Sequence, residues 1–190
     1  MLKISLALIL IVVSAPCIWS VNYFQPTSLG SSADSISVSV DGFGRGAHSL
    51  WENPASLTNS KSFSIAGFNT TILEDYRYSN LAMSKQFGAH RFAVGIYELR
   101  VVGVPSTDDH INSIYGENQI IQIGSETYRN IVAKLAYQTD ISDQISIGIA
   151  SSYFETSLFD TKGVGFNADI GVFLTFNTID FSFVGKNVIP

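Results

Sequence analysis

The sequence is poor in cysteine and in charge. Its 190 residues contain one cysteine, Cys17, so no disulfide forms within the chain. If the leader described below is removed after Ser20, a cysteine zinc site and a thiol nucleophile are excluded as well. Charged residues make up 14% of the chain, against about 25% in soluble domains. The formal net charge of -5 argues against a nucleic-acid-binding surface.

Long apolar runs and catalytic motifs are also missing. After residue 20 no apolar run approaches 18 residues, which excludes a helical membrane protein. Neither Gly-x-Ser-x-Gly nor His-Glu-x-x-His occurs, and the glycine-rich stretch 42–46 lacks the Lys of a phosphate-binding loop. The three histidines are scattered, and the acidic stretch before His110 is expected to be solvated. We therefore expect no catalytic residue, cofactor or metal site, and no enzyme activity.

The N-terminus has the features of a secretory signal peptide. Lys3 forms a short positive region, an apolar core covers residues 6–13, and small residues follow near a cleavage site. We predict a signal peptide at residues 1–20 and a single domain at residues 21–190. The alternatives are an uncleaved anchor, cleavage after Cys17, and a lipoprotein cut before Cys17, a site that Pro16 fits badly.

The main signal in the rest of the chain is the alternation of apolar with small or polar residues, which predicts β-strands. Most of these runs exceed the usual ~5–6 residues of soluble strands, and those at 75–86 and 166–176 reach the ~9–11 residues of a tilted membrane strand. Such alternation fits a soluble sandwich, whose apolar face is the core, or an outer-membrane barrel, whose apolar face meets lipid. Strand length and low charge favour the barrel. The runs lie at residues 36–40, 62–69, 75–86, 91–96, 131–137, 144–150, 166–176 and 179–184.

This count predicts about eight antiparallel strands joined by turns. Short turns are expected at residues 88–90, 140–143 and 177–178, and longer connections at residues 105–119 and 158–163. The alternation also assigns each side chain to a face. We expect Ile145, Ile147, Ile149, Ile170, Val172, Leu174, Phe181 and Phe183 to face outward, and Ser146, Gly148, Asp169, Gly171 and Ser182 inward. Lys134, Asp169, Asp180 and Lys186 are the charged residues predicted to line the interior, where they meet water or each other.

The stretch before the first long strand resembles the N-terminal signature of the PorV/PorQ family of FadL-like outer-membrane barrels. That signature is a glycine- and alanine-rich stretch, then an aromatic, one residue and Asn-Pro-Ala-Gly-Leu; Ser56 stands here in place of the glycine of that last motif. Weaker similarities follow at residues 103–108, at 165–171 and at Lys186-Asn187. The matching signature residues are Gly42, Gly44, Trp51, Asn53, Pro54, Ala55 and Leu57.

The resemblance implies an outer-membrane β-barrel involved in transport or secretion, either a carrier for exported proteins or a conduit for hydrophobic small molecules. Its partners would be outer-membrane lipid, secretion-system components, exported proteins or such small molecules. A non-transporting structural or partner-binding protein is the alternative. Family barrels have roughly fourteen strands, so this chain is expected to form an incomplete or open portion. Residues 50–57 are interpreted as a packed turn or short helix that plugs the barrel, with Trp51 at a wet–dry boundary.

Overall fold

A computed structural model describes residues 31–33, 35, 42–44, 46–59, 62–72, 74–112 and 117–189. These residues form an all-β structure, in which seven antiparallel strands make one curled half-barrel sheet with a short helical segment against it. The order in the sheet follows the order in the chain. The strands are β1 (Phe63–Ile72), β2 (Tyr76–Phe87), β3 (His90–Asn112), β4 (Glu117–Ser142), β5 (Ile145–Leu158), β6 (Thr161–Phe176) and β7 (Ile179–Gly185).

The strands form where the sequence alternates, and the alternation separates the two faces of the sheet. On β5, Ile147 and Ile149 are exposed, whereas Ser146, Gly148 and Ala150 are buried. Neighbouring strands continue this division because every pair is in antiparallel register. The predicted facing is confirmed for Ile170, Phe181 and Phe183, which are exposed, and for Asp169 and Gly171, which are buried. Ile145, Val172, Leu174 and Ser182 do not separate as cleanly, as Ile145 and Ser182 are half-buried.

A helical segment, residues 46–59, precedes β1. It consists of a 3₁₀ turn (Gly46–His48), the helix α1 (Ser49–Glu52) and a second 3₁₀ helix (Pro54–Asn59). Asn53 separates the last two with extended backbone angles of φ -141° and ψ 117°, because a residue before proline is disfavoured in the helical region. A short helix is therefore present where the sequence predicted a packed turn or helix.

The two long connections expected from the sequence are wrong. Residues 105–112 and 117–119 belong to β3 and β4, which pair with each other as far as Asn112 and Glu117. The connection expected at residues 158–163 is a two-residue turn between β5 and β6. The stretch 103–108, most of which falls in the connection expected at 105–119, also lies in β3, where Gly103 adopts φ 81° at a register shift. Proline, paired aspartates and glycine suggested a loop, but an irregular strand accommodates them.

The described sheet is open, since β1 and β7 each pair with a single neighbour. Seven of the eight predicted strands are present; the remaining one, at residues 36–40, lies outside the described residues, as does the predicted signal peptide at residues 1–20. No helix in the described ranges is long and apolar enough to cross a membrane.

Candidate functional site

The helical segment lies across the concave face of the sheet and contacts both of its edge strands. At β1, the backbone N–H of Ala47 donates to Ser64 Oγ at 3.2 Å. At β7, the side-chain amide of Asn53 donates to Ser182 Oγ at 2.8 Å. One segment reaches both edges only if it fills the hollow between them. The groove that this segment fills is the candidate functional site.

Asn53 is the most heavily bonded side chain of the segment and is fully buried. Besides Ser182, its amide nitrogen lies 3.1 Å from the carbonyl oxygen of Phe183 and 3.4 Å from that of Val172. Its carbonyl oxygen accepts the N–H of Ala55 at 2.9 Å. The side chain therefore closes the local turn and ties it to β6 and β7 at once, as the polar groups of a buried amide require.

Glycines on the sheet give the segment its room. A Cβ at Gly171 would overlap the side-chain oxygen of Asn53, and one at Gly148 would overlap the backbone of Pro54 and Ala55. At Gly95, a Cβ would lie 2.7 Å from atoms of Leu50 and Trp51. We call Gly95, Gly148 and Gly171 the glycine notch. At Gly148 the notch lets main chain approach main chain, and at Gly95 and Gly171 it makes room for side chains of the segment.

Trp51 lies inside the groove instead of at a wet–dry boundary, so that sequence interpretation is wrong. The side chain is 1% exposed, and its ring meets that of Tyr97 edge-on with centroids 5.3 Å apart. Its indole N–H has no acceptor among the described residues. Trp51 packs as a core aromatic, together with buried Leu50, Leu57 and Tyr78.

Glu52 holds the glycine-rich stretch against the segment. Its carboxylate accepts the Ser31 hydroxyl at 2.5 Å and the N–H of Gly42 at 3.3 Å. Gly42 has φ 99°, a conformation that favours glycine, and its carbonyl oxygen accepts the Ser182 hydroxyl at 2.7 Å. The Gly44 carbonyl oxygen accepts the Ser49 hydroxyl at 2.7 Å. The first signature glycines therefore meet the polar groups of the same groove.

An ion pair between Lys134 of β4 and Asp169 of β6 lies on the inward face, with both side chains at least nine-tenths buried. The second oxygen of Asp169 accepts the backbone N–H of Asn187 at 3.0 Å. Asn187, at φ 58°, follows β7, and the N–H of Val188 bonds to the carbonyl oxygen of Ala168 at 2.8 Å. The pair therefore also holds the chain that leaves β7.

A polar cluster closes the groove at the β4–β5 turn. Asp140 accepts hydrogen bonds from Arg91 at 2.7 Å, Ser146 at 2.7 Å and Thr58 at 3.2 Å. The side-chain amide of Gln138 also donates to Asp140, at 2.6 Å. Next to this cluster lies a cavity of about 290 Å³, lined by Thr58, Asp140, Ser142, Asp143, Gln144, Ser146 and Thr175.

The predicted residues divide into two groups. The structure brings the signature residues together in the groove, with Pro54, Ala55 and Leu57 all buried, and it places Lys134 and Asp169 beside them. Asp180 has the inward alternation of Ser182 but is exposed near the β6–β7 turn, and Lys186 is half-buried after β7.

Sequence analysis missed the contacts of Glu52 and Ser182 and the Arg91–Asp140 pair. Each depends on a contact that no local pattern reveals, although the inward position of Arg91 at the start of a strand called for an acidic partner.

The groove has the properties of a packed structural site. Within the described ranges, no group of three or more His, Cys, Asp and Glu side chains is arranged to hold a metal ion. The polar groups of the groove bond mainly to each other and to the backbone. The groove can therefore hold a peptide segment against the sheet. No family model, curated protein or solved structure matches the chain.

The glycine notch predicts a steric test. Gly148→Ala should destabilise the fold by about 1–3 kcal/mol, because its methyl group meets backbone atoms of Pro54 and Ala55 that cannot yield. Urea unfolding in detergent of a chain that begins at Val21, in which Trp51 is the single tryptophan, measures this by fluorescence. Gly163→Ala is the matched control: nothing lies within 4 Å of its added Cβ, so the free energy of unfolding should change by less than ~0.5 kcal/mol. Equal effects of the two changes would contradict the notch.

The buried ion pair predicts a double-mutant result. Lys134→Met leaves an unpaired buried carboxylate and should cost about 3–5 kcal/mol of unfolding free energy. Adding Asp169→Asn removes that charge and keeps an oxygen for the Asn187 N–H, so the double variant should recover ~1 kcal/mol or more. The same urea titration measures both. A double variant less stable than Lys134→Met alone would show that the pair contributes through something other than its charge.

Proposed function

We propose that the chain forms part of an outer-membrane β-barrel of PorV/PorQ type that acts as a carrier or scaffold in transport or secretion. The observation that carries the proposal is the polarity of the curled sheet. Its convex face is apolar and exposed, and its concave face is polar or small and covered. A protein in water has the opposite arrangement, whereas a membrane barrel places its apolar face against lipid.

The convex face supports a lipid contact in its details. Large side chains stand fully outward, among them Ile65 at 60%, Leu135 at 59% and Phe166 at 71% exposure. From β1 to β7 the central outward positions carry no charged residue. Outward charges stand near the ends of the strands, or on β3 and β4 close to where these two strands extend beyond their neighbours. This pattern is expected from the ~2–4 kcal/mol cost of placing Lys or Arg at mid-depth in a membrane. These residues are Arg77, Lys85, Glu98, Arg100, Arg129, Glu155 and Lys162.

Aromatic and charged side chains meet near the β2–β3 turn, as at a membrane interface. Lys85 Nζ lies 5.9 Å from the ring centroids of both Phe63 and Phe87. Phe92 packs on Tyr137 with centroids 5.1 Å apart. Aromatic rings and a long cationic side chain with a wet end are typical of the boundary between lipid and water.

A soluble exported sandwich is the alternative fold. It would bury the isoleucine and phenylalanine face against a second sheet. The concave face is instead the covered one, and it is occupied by polar bonds and glycines that make a poor apolar core. A sandwich would therefore need a second protein layer over the whole convex face, whereas a membrane barrel needs only lipid there.

The filled groove favours a carrier or scaffold over an open conduit. The helical segment crosses the hollow from β1 to β7 and acts as the plug, so a pore would require it to move. A conduit for hydrophobic small molecules remains the second candidate, and the apolar lining around Tyr78, Tyr97 and Leu99 is the observation that favours it. A purely structural or partner-binding outer-membrane protein is the third.

Lipid contact is tested by placing a single tryptophan on each surface. In a chain that begins at Val21, and so lacks Trp19, and that carries Trp51→Phe, Ile149→Trp should be strongly quenched by lipids brominated in the acyl chains, because position 149 lies on the convex face. Thr107→Trp, on an exposed part of β3 beyond the sheet, is the control and should be quenched little. Equal quenching at both positions, or none at 149, would refute the membrane placement.

Conductance separates a plugged carrier from an open conduit. The chain reconstituted in a planar bilayer should show no steady channel current, whereas Asn53→Ala should raise current or current noise, because it removes the bonds that tie the plug to β7. Asn69→Ala removes a bond between exposed side chains on β1 and β2 and is the control. A wild-type current as large as that of Asn53→Ala would favour the conduit.

A further inference from the structure

Three arginines stand side by side on the convex face of the sheet. Arg77 of β2 pairs in register with Arg100 of β3, and Arg100 pairs in register with Arg129 of β4. Each follows or precedes a buried residue of its strand, so all three alternate outward. Two strand spacings separate the first from the third, a width of about 10 Å. We call Arg77, Arg100 and Arg129 the arginine row.

The arginine row lies at the border of the exposed apolar face. β2 begins one residue before the row, and β5 ends one residue after Ser157, which continues the row beyond β4. Four to six residues from the row arginines along β2, β3 and β4, the outward positions carry the exposed side chains of Leu81, Ile96 and Leu135. If the convex face meets lipid, long cationic side chains at this border reach the headgroups.

One carboxylate serves two of the three arginines. Glu98 stands on the same face of β3 and accepts through a single oxygen, Oε1, from Arg100 at 2.9 Å and from Arg129 at 2.5 Å. Arg77 forms no ion pair with any described residue. Three guanidinium charges less one carboxylate charge leave a net charge of +2 on this part of an otherwise acidic chain.

Other acidic residues near the row do not neutralise it. In the part of the chain that the structure describes, none of them lies within ion-pair distance of a row arginine. Like charges in register on neighbouring strands destabilise a sheet, so the row is favourable only with an anion that the described chain does not supply. These acidic residues are Glu74, Asp75, Glu126, Glu155 and Asp160.

The guanidinium groups keep the donors that a phosphate requires. Each has five N–H groups, and Glu98 engages one nitrogen of Arg100 and one of Arg129. The remaining N–H groups can donate in pairs to phosphate oxygens, which is the arrangement that arginine favours over lysine. A phosphate attached to acyl chains satisfies both neighbouring surfaces, because the chains cover the apolar face while the phosphate lies on the row.

We propose that the arginine row binds the phosphate of an anionic lipid headgroup whose acyl chains lie on the adjoining apolar face. The proposal rests on the membrane placement proposed above and adds to it a fixed site with a preference for lipid charge. The site lies at the end of the sheet from which β3 and β4 extend. At the other end, the outward face of β2 carries a single cation, Lys85, between aromatic rings.

The test places one tryptophan next to the row. A chain that begins at Val21 and carries Trp51→Phe and Ile131→Trp has a single tryptophan, two residues from Arg129 on the outward side of β4. The chain is reconstituted in phosphatidylcholine vesicles in which a fixed minority of the lipid is either brominated phosphatidylglycerol or brominated phosphatidylcholine. Quenching should indicate about fivefold or stronger association of the anionic lipid. Equal quenching by the two lipids would overturn the proposal.

A matched pair of variants locates the site. Arg77→Gln and Lys85→Gln each remove one positive charge from exposed outward positions of β2, eight residues apart. Arg77→Gln leaves both ion pairs of Glu98 in place and should lower the preference at position 131 by about threefold or more, whereas Lys85→Gln should change it by less than about 1.5-fold. Equal losses would show a response to net charge alone and would overturn the assignment to the row.

A free anion and the membrane placement are tested separately. If sodium phosphate removes the lipid preference and sodium chloride of equal ionic strength does not, the row takes free phosphate and the proposal is wrong. Quenching of the Ile149→Trp chain by brominated phosphatidylcholine reports on the membrane placement. Its absence refutes that placement, and its presence without a lipid preference at position 131 refutes only the arginine-row site.

Discussion

The structure depends on one constraint: a curled sheet with a hollow face must fill that face, and here it does so with its own N-terminal segment. Bridging β1 and β7 brings main chain against main chain at Gly148 and the Asn53 side chain against main chain at Gly171, and the glycine notch permits both approaches. It also buries backbone polar groups, and Asn53 bonds two of them, the Phe183 carbonyl oxygen and the Ala55 N–H, with the two ends of its amide. The same few residues therefore provide both the space and the hydrogen bonds, because a methyl group at Gly171 would displace the Asn53 amide that bonds β7.

The same constraint explains the distribution of polarity. Once the segment covers the concave face, the sheet can keep buried polar groups there, such as Lys134 with Asp169, provided that each has a partner. The apolar side chains are then left on the convex face. In water this arrangement would be costly, at roughly 25 cal/mol per Å² of exposed apolar surface, and in lipid that cost disappears. The low charge content of the chain and its exposed isoleucines therefore have one cause, a sheet that keeps its polar groups on the concave face and its apolar side chains on the convex face.

Much of this architecture could be predicted from the sequence. Period-2 alternation located seven strands and the facing of residues such as Ile149 and Gly171, because a strand divides its side chains between faces whatever its partners. The Asn53-Pro54 pair is a local steric signal for the break between the helical turns. What could not be predicted depends on distance in the chain. Ser182 meets Asn53 across 129 residues, and its sequence neighbourhood carries no sign of that contact. Trp51 was misplaced because an amphipathic ring suits both a boundary and a core, and only the filled groove decides between them.

The direction of the edge strands limits how such a sheet is completed. Seven strands, each antiparallel to the next, leave β1 and β7 running in the same direction. Joining these two edges directly would make a parallel pair, and so would joining two copies inserted with the same orientation. A fully antiparallel barrel requires an odd number of further strands between β7 and β1. In lipid an unpaired edge leaves backbone groups unsatisfied, at several kcal/mol each, so completion would be strongly favoured. The first added strand must run opposite to β7, next to the point where the Asp169 carboxylate bonds the N–H of Asn187 and turns the chain back towards β6.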